Sequence, residues 1–326
     1  MSLSIDARIL MALRSSESVS GADLSQQLGI SRTAIWARIQ DLRSLGYDVE
    51  ASPHLGYRLL SSPDLLHADD LHARIGATKT VGREIHVFQE TTSTNDVIEK
   101  FARDELKEGI VIFAESQTKG RGRLGRKWIS PARKGLWFSI LLRPNLRPQL
   151  ATQLTIAAAT ALARAIELQT PLEPEIKWPN DILIRGRKVA GILTELRAEL
   201  DRIRHVVLGI GIDVNLNANE FPPELKKIAT SLKIETGRTV NRSELAAAVL
   251  RELDVEYERI GSGQFESVAA EWEARCTTIG QSVIIRVGDR VIQGRAESLD
   301  AEGALLVRSQ HGLLERVIGG DVVLEK

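Results

Sequence analysis

The 326-residue sequence contains few of the features that mark disulfide-rich, metal-binding or membrane proteins. Its one cysteine, Cys276, has no partner for an internal disulfide, which fits a reducing cytoplasm. No run approaches the roughly 20 apolar residues that a membrane span needs. The first residues also lack the basic leader and long apolar core of a secretory signal. We therefore expect a cytoplasmic globular protein of about two or three domains, with no membrane segment.

Several catalytic signatures are absent as well. The six histidines show no metal-ligand spacing, so we expect no metal held by the protein itself. The phosphate-loop ending G-K-[ST] does not occur. No G-x-S-x-G elbow occurs either, which leaves serine hydrolysis with little support.

Charge is balanced overall but unevenly distributed. Lys plus Arg number 43 and Asp plus Glu number 43, and this zero net charge, taken alone, argues against a nucleic-acid partner. Acidic residues are nevertheless missing between Glu115 and Glu167. The ten basic residues in that interval are Lys119, Arg121, Arg123, Arg126, Lys127, Arg133, Lys134, Arg143, Arg147 and Arg164. Such a run favours an anion-binding segment, and a basic surface loop is the alternative.

Residues 1–62 are predicted to form a small helical unit. Apolar residues repeat every four positions in a first helix that begins at Ile5. Gly29 then separates two further helices, ending one in a left-handed conformation, and Ser31 caps the next. The segment DVEASPHLGYRLL follows as two short strands around a turn. This order predicts a winged helix-turn-helix.

The rest of the chain is predicted to form two further units. Ser62 and Pro63 mark a boundary and the expected start of a helix. Residues 63–275 then alternate strand-like and helical segments, which predicts a mixed α/β domain. Residues 276–326 consist of short strands separated by turn residues, which predicts a small β-barrel.

The segment TKGRGRLGRKW contains a literal G-x-G-x-x-G at Gly120, Gly122 and Gly125. A dinucleotide fingerprint must open a helix, but Pro131 and the neighbouring aromatic residues oppose one here. We therefore expect arginine side chains, rather than a helix N-terminus, to hold phosphate. Glycine beside arginine suggests a loop that closes over a charged ligand.

Three other segments have both a functional and a structural interpretation. TTSTN, which ends at Asn95, is predicted either to bind a ligand or only to cap a helix through Ser93 or Thr94. KWPND places Lys177 beside a rigid Trp-Pro pair, which would position its charge for a ligand. The alternative is an ordinary surface turn. LGIGIDVN, ending at Asn215, lets a backbone approach a ligand closely, or is a tightly packed strand.

Taken together, these segments resemble the biotin protein ligases of the bifunctional kind that also repress the biotin operon. The resemblance rests on TTSTN, ESQTKGRGRLGRKWISP, KWPNDIL, RKVAGILTEL and LGIGIDVNLN, in that order. It extends over essentially the whole chain, because the terminal units match too. It implies an α/β multidomain protein with an N-terminal winged helix-turn-helix, a class II synthetase-like catalytic domain and a C-terminal SH3-like barrel.

The resemblance also implies an activity. Biotin would react with ATP to give biotinyl-5′-AMP, and a lysine of a biotin carboxyl carrier protein would then take the biotin. Because the first step brings two anions together, positive charge must offset their repulsion. Magnesium would arrive with ATP, held mostly by phosphate oxygens. In the family, biotinyl-AMP promotes a homodimer that binds the operator DNA of biotin genes.

The family's functional residues carry over by motif. Lys177, Arg121 and Arg123 are the expected catalytic residues, with Lys177 between carboxylate and α-phosphate. The expected biotin-binding residues are Ser93, Thr94, Asn95, Gln117, Arg121, Gly122, Arg123, Lys177, Gly191 and Leu193. Trp128 is expected against adenine, and Asn215 at the nucleotide end.

The second helix of a helix-turn-helix enters the major groove by its N-terminal end. The expected DNA-binding residues there are Ser31, Arg32, Thr33, Trp36 and Arg38. Arg43 is a further candidate for phosphate contact. Residues 1–62 carry six arginines and six acids, so one copy should bind DNA weakly and a dimer better. A winged helix that no longer binds DNA is the alternative.

Three functions therefore stay open: a bifunctional ligase and repressor, a ligase only, and a biotin-sensing regulator without turnover. Two departures from the family pattern matter. The chain ends in Glu325 and Lys326 where a late basic residue can approach ATP. The segment GLWF, from Gly135 to Phe138, replaces a more usual polar Asn-aromatic pair.

Overall fold

The computed structural model describes residues 3–104 and 107–324. The strands of this part form three separate sheets with two, seven and five strands. The two-stranded sheet lies in the N-terminal unit, the seven-stranded sheet in the centre and the five-stranded sheet at the C-terminal end. No described helix is both long enough and apolar enough to cross a membrane.

The N-terminal unit is a winged helix-turn-helix, as predicted. Its elements are α1 (Ile5–Ser15), α2 (Gly21–Leu28), α3 (Arg32–Ser44), β1 (Asp48–Ser52) and β2 (Gly56–Ser61). Gly29 ends α2 at φ 71°, a conformation that a Cβ would disfavour. Ser31 Oγ accepts the Ala34 N–H at 3.1 Å and so caps α3. Ile35, Ile39 and Leu42 form the buried face of α3, which fixes the opposite face toward solvent.

The prediction that Ser62 and Pro63 start a helix is wrong. The next helix, α4 (Ala68–Ile75), begins after His67. The intervening backbone is held against the central unit, because the Leu66 N–H donates to Glu115 Oε1 at 2.8 Å. Arg242 Nε also donates to Asp64 Oδ1 at 2.8 Å. The Leu66 N–H and the Asp64 side chain are therefore bonded to the central unit and are not part of a helix N-terminus.

Helix α4 joins the winged helix to the central unit. Asp70 is buried and pairs with Arg14 of α1 at 2.5 Å and with Arg74 at 2.8 Å. Ala73 packs into the hydrophobic core of the N-terminal unit. Leu71 and Ile75 pack into the large central core instead. The helix therefore has one face in each core.

The central sheet has the strand order β3-β4-β5-β9-β8-β7-β6. Its strands are β3 (Glu84–Thr91), β4 (Ile110–Gln117), β5 (Gly135–Leu142), β6 (Glu175–Lys177), β7 (Asp181–Ile184), β8 (Arg187–Ala198) and β9 (Ile203–Asp213). Only β3 and β4 pair in parallel among these neighbours. The accompanying helices are α5 (Thr94–Phe101), α6 (Ala151–Gln169), α7 (Leu232–Thr236), α8 (Arg242–Gly261) and α9 (Phe265–Arg275). The mixed α/β prediction is confirmed.

The C-terminal unit is an antiparallel sheet in the order β13-β12-β11-β10-β14. Its strands are β10 (Ser282–Val287), β11 (Arg290–Leu299), β12 (Leu305–Arg308), β13 (Leu314–Val317) and β14 (Asp321–Leu324). The sequence predicts the first four and misses β14. That last strand follows Gly319 and Gly320 of the segment GGD, whose turn-like composition is correct as a break between strands.

Candidate functional site

A cavity of about 550 Å³ opens on the central sheet at the C-terminal end of β9. Its floor includes Gly209 and Gly211, which alternate along one face of the strand. A Cβ at Gly209 would lie 2.3 Å from Asn95 Oδ1, and one at Gly211 would lie 2.5 Å from Trp128 Nε1. Both glycines are therefore required for close packing of the residues above them. This supports the interpretation of LGIGIDVN as a tightly packed strand, and close approach of a ligand to its backbone stays a prediction.

One end of the cavity is a polar network around the start of α5. Ser93, Thr94 and Asn95 are all buried and line the cavity. The Thr94 N–H donates to Gln117 Oε1 at 2.8 Å, and Gln117 Nε2 donates to Ser130 Oγ at 2.8 Å. Ser93 occupies the N-cap position without a side-chain capping bond. Helix capping alone therefore does not account for this segment.

Asn95 is fixed from both sides. Ser139 Oγ donates to Asn95 Oδ1 at 2.5 Å, and Asn95 Nδ2 donates to Glu195 Oε2 at 2.6 Å. Glu195 also pairs with Arg121 at 2.9 Å. Arg121 is paired a second time, with Asp96 at 3.1 Å. The polar end is thus linked directly to the basic segment.

The basic segment crosses the cavity without forming an α-helix, as predicted. A single 3-10 turn, Arg123–Gly125, interrupts it, with Leu124 at φ 54°. Arg123 Nη1 donates to Asn180 Oδ1 at 3.1 Å. Burial lowers the pKa of the Arg123 guanidinium from its ordinary value. Gly122 and Arg123 both line the cavity, so the segment is part of a site rather than only a basic surface loop.

The KWPND segment lies in the cavity wall and is not a plain surface turn. Trp178 is buried, and its bond to Pro179 is cis. Lys177 lines the cavity, and within residues 3–104 and 107–324 no side chain pairs with its ammonium group. Asp181 pairs instead with Lys188, at 2.6 Å.

Lys188 is a cavity residue that the sequence reasoning missed. Its ammonium lies 5.1 Å from the centre of the Trp128 ring. A Cβ at Gly191 would lie 3.2 Å from Lys188 Nζ, which places the ammonium beside that backbone. The available signal was the pair RK at the start of the otherwise apolar segment RKVAGIL. Leu193, on the same strand, lines the cavity too.

Trp128 forms part of the opposite end of the cavity. Its Nε1 is buried and has no hydrogen-bond partner among the described residues. Trp137, from the departure GLWF, meets it edge to face with ring centres 6.4 Å apart. Apolar residues complete this end, namely Leu216, Phe221, Leu225, Ile228 and Ala229. An aromatic ring with an apolar surround suits a flat heterocycle.

Asp213 and Asp321 also line the cavity and were not predicted. Burial raises the pKa of the Asp213 carboxyl well above its ordinary value, and nearby Lys188 opposes that shift. Asp321 belongs to β14 and pairs with Arg126 of the basic segment at 2.5 Å. The C-terminal sheet therefore contributes directly to the wall. Glu325 and Lys326 lie outside the described residues.

Asn215 is the one expected site residue that does not line the cavity. It is buried, and its amide makes two bonds to the backbone of Val240, at 2.9 and 3.0 Å. The other expected biotin, catalytic and adenine residues surround this one cavity. Among the described residues, no group of three His, Cys, Asp or Glu side chains is arranged to hold a metal ion.

The expected DNA-binding residues are exposed around the N-terminal half of α3, where helical spacing places Arg32, Thr33 and Trp36 on one side and Arg38 on another. Ser31, Arg32, Thr33, Trp36 and Arg38 are all exposed along α3, and Trp36 is 56% exposed. Arg38 makes a long ion pair with Asp6 at 3.4 Å. The Arg43 guanidinium donates to the Val49 carbonyl at 2.5 and 3.0 Å and so ties α3 to the wing, and its expected phosphate contact stays a prediction.

Three family models match successive parts of the chain. Residues 7–58 match the HTH domain, and residues 87–213 match the Biotin/lipoate A/B protein ligase family. Residues 278–325 match the Biotin protein ligase C terminal domain. The matched regions follow the same order as the three sheets.

Curated relatives match along nearly their full length. The chain is 38% identical to the bifunctional ligase/repressor BirA of Bacillus subtilis, over 97% of this chain and 96% of that protein. It is 32% identical to BirA of Escherichia coli, over 98% of this chain and 97% of that protein. Among solved structures, the Aquifex aeolicus biotin protein ligase in complex with biotin and ATP matches with a TM-score of 0.64. That match has 31% identity and covers 75% of this chain and 99% of the other.

Proposed function

The chain belongs to the family of bifunctional biotin ligases and repressors, and from this premise we propose how its cavity and its winged helix work. It is an ATP-dependent biotin–[acetyl-CoA-carboxylase] ligase that also carries a repressor's DNA-binding unit. In the first reaction, a biotin carboxylate oxygen attacks the α-phosphorus of ATP and pyrophosphate leaves. In the second, an acceptor lysine attacks the carbonyl of biotinyl-5′-AMP and AMP leaves.

One observation carries this proposal: a single cavity joins a polar end, a cationic middle and an aromatic end along β9. A ureido ring needs hydrogen-bond donors and acceptors, which Ser93, Thr94, Asn95 and Gln117 supply. The backbone around Gly191 and Leu193 would line the chain of biotin. These residues are held by one another before any ligand arrives, so binding requires little reorganisation.

The middle of the cavity would bring the two anionic reactants together. Arg121, Arg123 and two lysines provide positive charge there, and such fixed charge stabilises a developing phosphorane-like anion. Lys177 was predicted as the cation between carboxylate and α-phosphate. The geometry supports Lys188 for that position, because its ammonium lies over the Trp128 ring and beside Gly191 in the cavity. We propose that Lys188 holds the reacting groups and Lys177 the outer phosphates.

The aromatic end would hold the nucleotide. Adenine would lie against Trp128, with Gly122 allowing the basic loop to approach the phosphates. Asn215 would need to release Val240 before touching the nucleotide, so we propose for it a role in shaping the loop that follows β9. Magnesium would enter as part of the substrate MgATP, coordinated mostly by phosphate oxygens.

We further propose that the winged helix binds operator DNA of biotin genes as a ligand-induced homodimer. The exposed N-terminal half of α3 supports the DNA contact. The balance of six arginines and six acids in residues 1–62 supports the need for two copies, since phosphate neutralisation supplies much of DNA affinity. Biotinyl-AMP, rather than biotin, would be the signal. The domain boundaries that go with these roles are residues 1–62, 63–275 and 276–326.

The deciding experiment combines purified protein, biotin, MgATP, a biotin carboxyl carrier protein and labelled DNA from upstream of the organism's biotin genes. Pyrophosphate release and biotinylated carrier report the ligase. A gel shift that needs both biotin and ATP reports the repressor, and light scattering reports the dimer. Turnover without a gel shift would indicate a ligase whose winged helix does not bind this DNA. Ligand binding without pyrophosphate release would leave a sensor.

A further inference from the structure

Three residues on one face of β9 form the floor of the cavity. Gly209, Gly211 and Asp213 alternate along the strand and all line the cavity, so they are spaced by about 7 Å. Gly209 lies under Asn95 and Gly211 lies under the indole nitrogen of Trp128. Asp213 therefore lies beyond Trp128, at the end of the cavity farthest from Asn95. If the proposed function is right, this is where the nucleotide lies.

The Asp213 carboxyl is both buried and unsatisfied. The residue is only 6% exposed, and no described side chain or backbone group hydrogen-bonds to its carboxyl. A buried polar group without a partner is costly, and a ligand that pairs with it recovers that cost. The indole nitrogen of Trp128, which packs against Gly211 of the floor, is buried and unpaired among the described residues as well. Two buried polar groups without hydrogen-bond partners among the described residues thus lie near this end of the cavity.

Burial opposes a carboxylate at Asp213, and the positive charge of Lys188 offsets that effect only in part. Lys188 lies on the neighbouring strand β8, and its ammonium is already paired with Asp181 of β7 at 2.6 Å. The remaining charged groups that line the cavity, from the polar network to the C-terminal sheet, are Lys177, Arg121, Arg123, Arg126, Lys127 and Asp321. Of these, Arg121 and Arg126 are paired with other carboxylates.

Incoming ATP and biotin are anions, and they would compete with Asp213 for the same cations. A neutral carboxyl does not repel the anionic ligands. It also has an O–H donor beside its carbonyl acceptor. We propose that Asp213 binds the nucleotide as a protonated acid, donating its hydroxyl hydrogen to the ligand, so that nucleotide affinity falls when Asp213 ionises. The inference rests on the proposed function, because it takes the occupant of this end to be ATP.

The sign of the effect follows from linkage. If only the protonated form binds, the dissociation constant rises with pH by about tenfold per unit above the point where Asp213 ionises. An amide cannot ionise but keeps an N–H donor and a carbonyl acceptor of the same shape. Asp213→Asn therefore removes the pH dependence due to this position while leaving a group that can still pair with the nucleotide.

The test measures binding of α,β-methylene-ATP with magnesium by calorimetry. The pH runs from about 6.5 to about 9.5, which is above the ordinary pKa of a carboxyl and below that of a lysine. Wild type, Asp213→Asn and Asp201→Asn are compared, since Asp201 is exposed in the turn before β9, at the far end of that strand. We expect wild type and Asp201→Asn to weaken steeply at alkaline pH. The curve of Asp213→Asn should lack that steep part.

Three results would overturn the inference. Parallel curves for wild type and Asp213→Asn would show that the position does not titrate with binding. A wild-type affinity that stays level to the alkaline limit would do the same. A higher magnesium requirement in Asp213→Asn at neutral pH would identify Asp213 as an ionised metal ligand instead. Pyrophosphate release by wild type with biotin and ATP tests the proposed function separately.

Discussion

Lys188 Nζ lies 2.6 Å from Asp181 Oδ1, so this cavity cation is already paired with a carboxylate of the neighbouring strand. The paired ammonium lies over the Trp128 ring, 5.1 Å from its centre. An arriving carboxylate or phosphate would compete with Asp181 for this lysine. The preformed pair therefore aligns the lysine without closing the site.

The two cavity lysines should differ in what their loss does. Lys188→Ala should slow pyrophosphate release by about 100-fold or more, because it removes a charge from the reacting centre. Lys177→Ala should act more through the KM for ATP, since we place its ammonium at the outer phosphates. Single-turnover kinetics separate the two effects. Lys226→Ala, an exposed lysine outside the cavity, is the control.

The opposite ranking would be informative. If Lys177→Ala abolished adenylation and Lys188→Ala only raised KM, the prediction made from KWPND would hold and the geometric assignment would be wrong. Normal pyrophosphate release in both variants would show that neither lysine is needed for adenylation.

Arg123→Gly should let biotinyl-AMP escape from the cavity. Arg123 is largely buried and bonds Asn180 across the opening, so its loss removes the connection between the loop and the KWPND wall. Biotinylation of lysines on an added bystander protein, such as serum albumin, measures the escape. Arg133→Gly is a matched control, because Arg133 is exposed, has a positive φ of 61° and does not line the cavity. Labelling confined to the carrier protein would mean that Arg123 does not retain the intermediate.

Asp321→Asn should weaken ATP binding modestly. The pair Arg126–Asp321 joins the basic segment to β14, but both side chains are partly exposed, at 66% and 38%. An exposed pair contributes about 0.2–1 kcal/mol, which corresponds to a KM for ATP raised by up to about fivefold. Asp289→Asn, exposed in a turn of the same sheet, should have no effect. A loss beyond about tenfold would mean that β14 positions the loop more strongly than this pair alone explains.

Arg32→Ala should weaken operator binding while the ligase reaction continues. Arg32 is exposed at the N-terminal end of α3, and a lost phosphate or base contact costs about 1–3 kcal/mol per copy. Gel shifts with biotin and MgATP measure the affinity, and pyrophosphate release measures the ligase. Arg204→Ala removes one exposed cation outside the winged helix and serves as the charge-matched control. Equal shifts in all three proteins would mean that α3 does not read the DNA.

The burial of Asp213 predicts a pH dependence of folding stability. Because burial raises the pKa of its carboxyl, the folded chain holds a proton that the unfolded chain releases above about pH 4. This contribution is fully present below that pH and is lost as pH rises toward the folded pKa, by up to about 1.4 kcal/mol per unit. Asp213→Asn should gain stability over wild type as pH rises, in urea unfolding at several pH values. A constant difference would show that Asp213 is not protonated in the fold.

Much of the architecture could be predicted from local sequence patterns. Gly29, Ser31 and the apolar spacing of α3 define the helix-turn-helix, because caps and amphipathic faces depend on neighbours only a few residues apart. The strands β4, β5, β10 and β11 were predicted for the same reason. The start of α4 was not, because Arg242, some 178 positions from Asp64, determines how the linker runs.

The site divides in the same way. The residue types of TTSTN, the basic segment and KWPND indicated phosphate and polar-ligand chemistry. Burying such polar and charged side chains in a core is costly, and their combination is unusual in a loop. The sequence alone could not show that Lys188 rather than Lys177 lies beside Trp128, nor that Asn215 points away to Val240. It could not show that Asp213 shares a strand face with two glycines or that β14 reaches the loop. Those relations depend on sheet register and on the packing of distant segments, which only the tertiary structure decides.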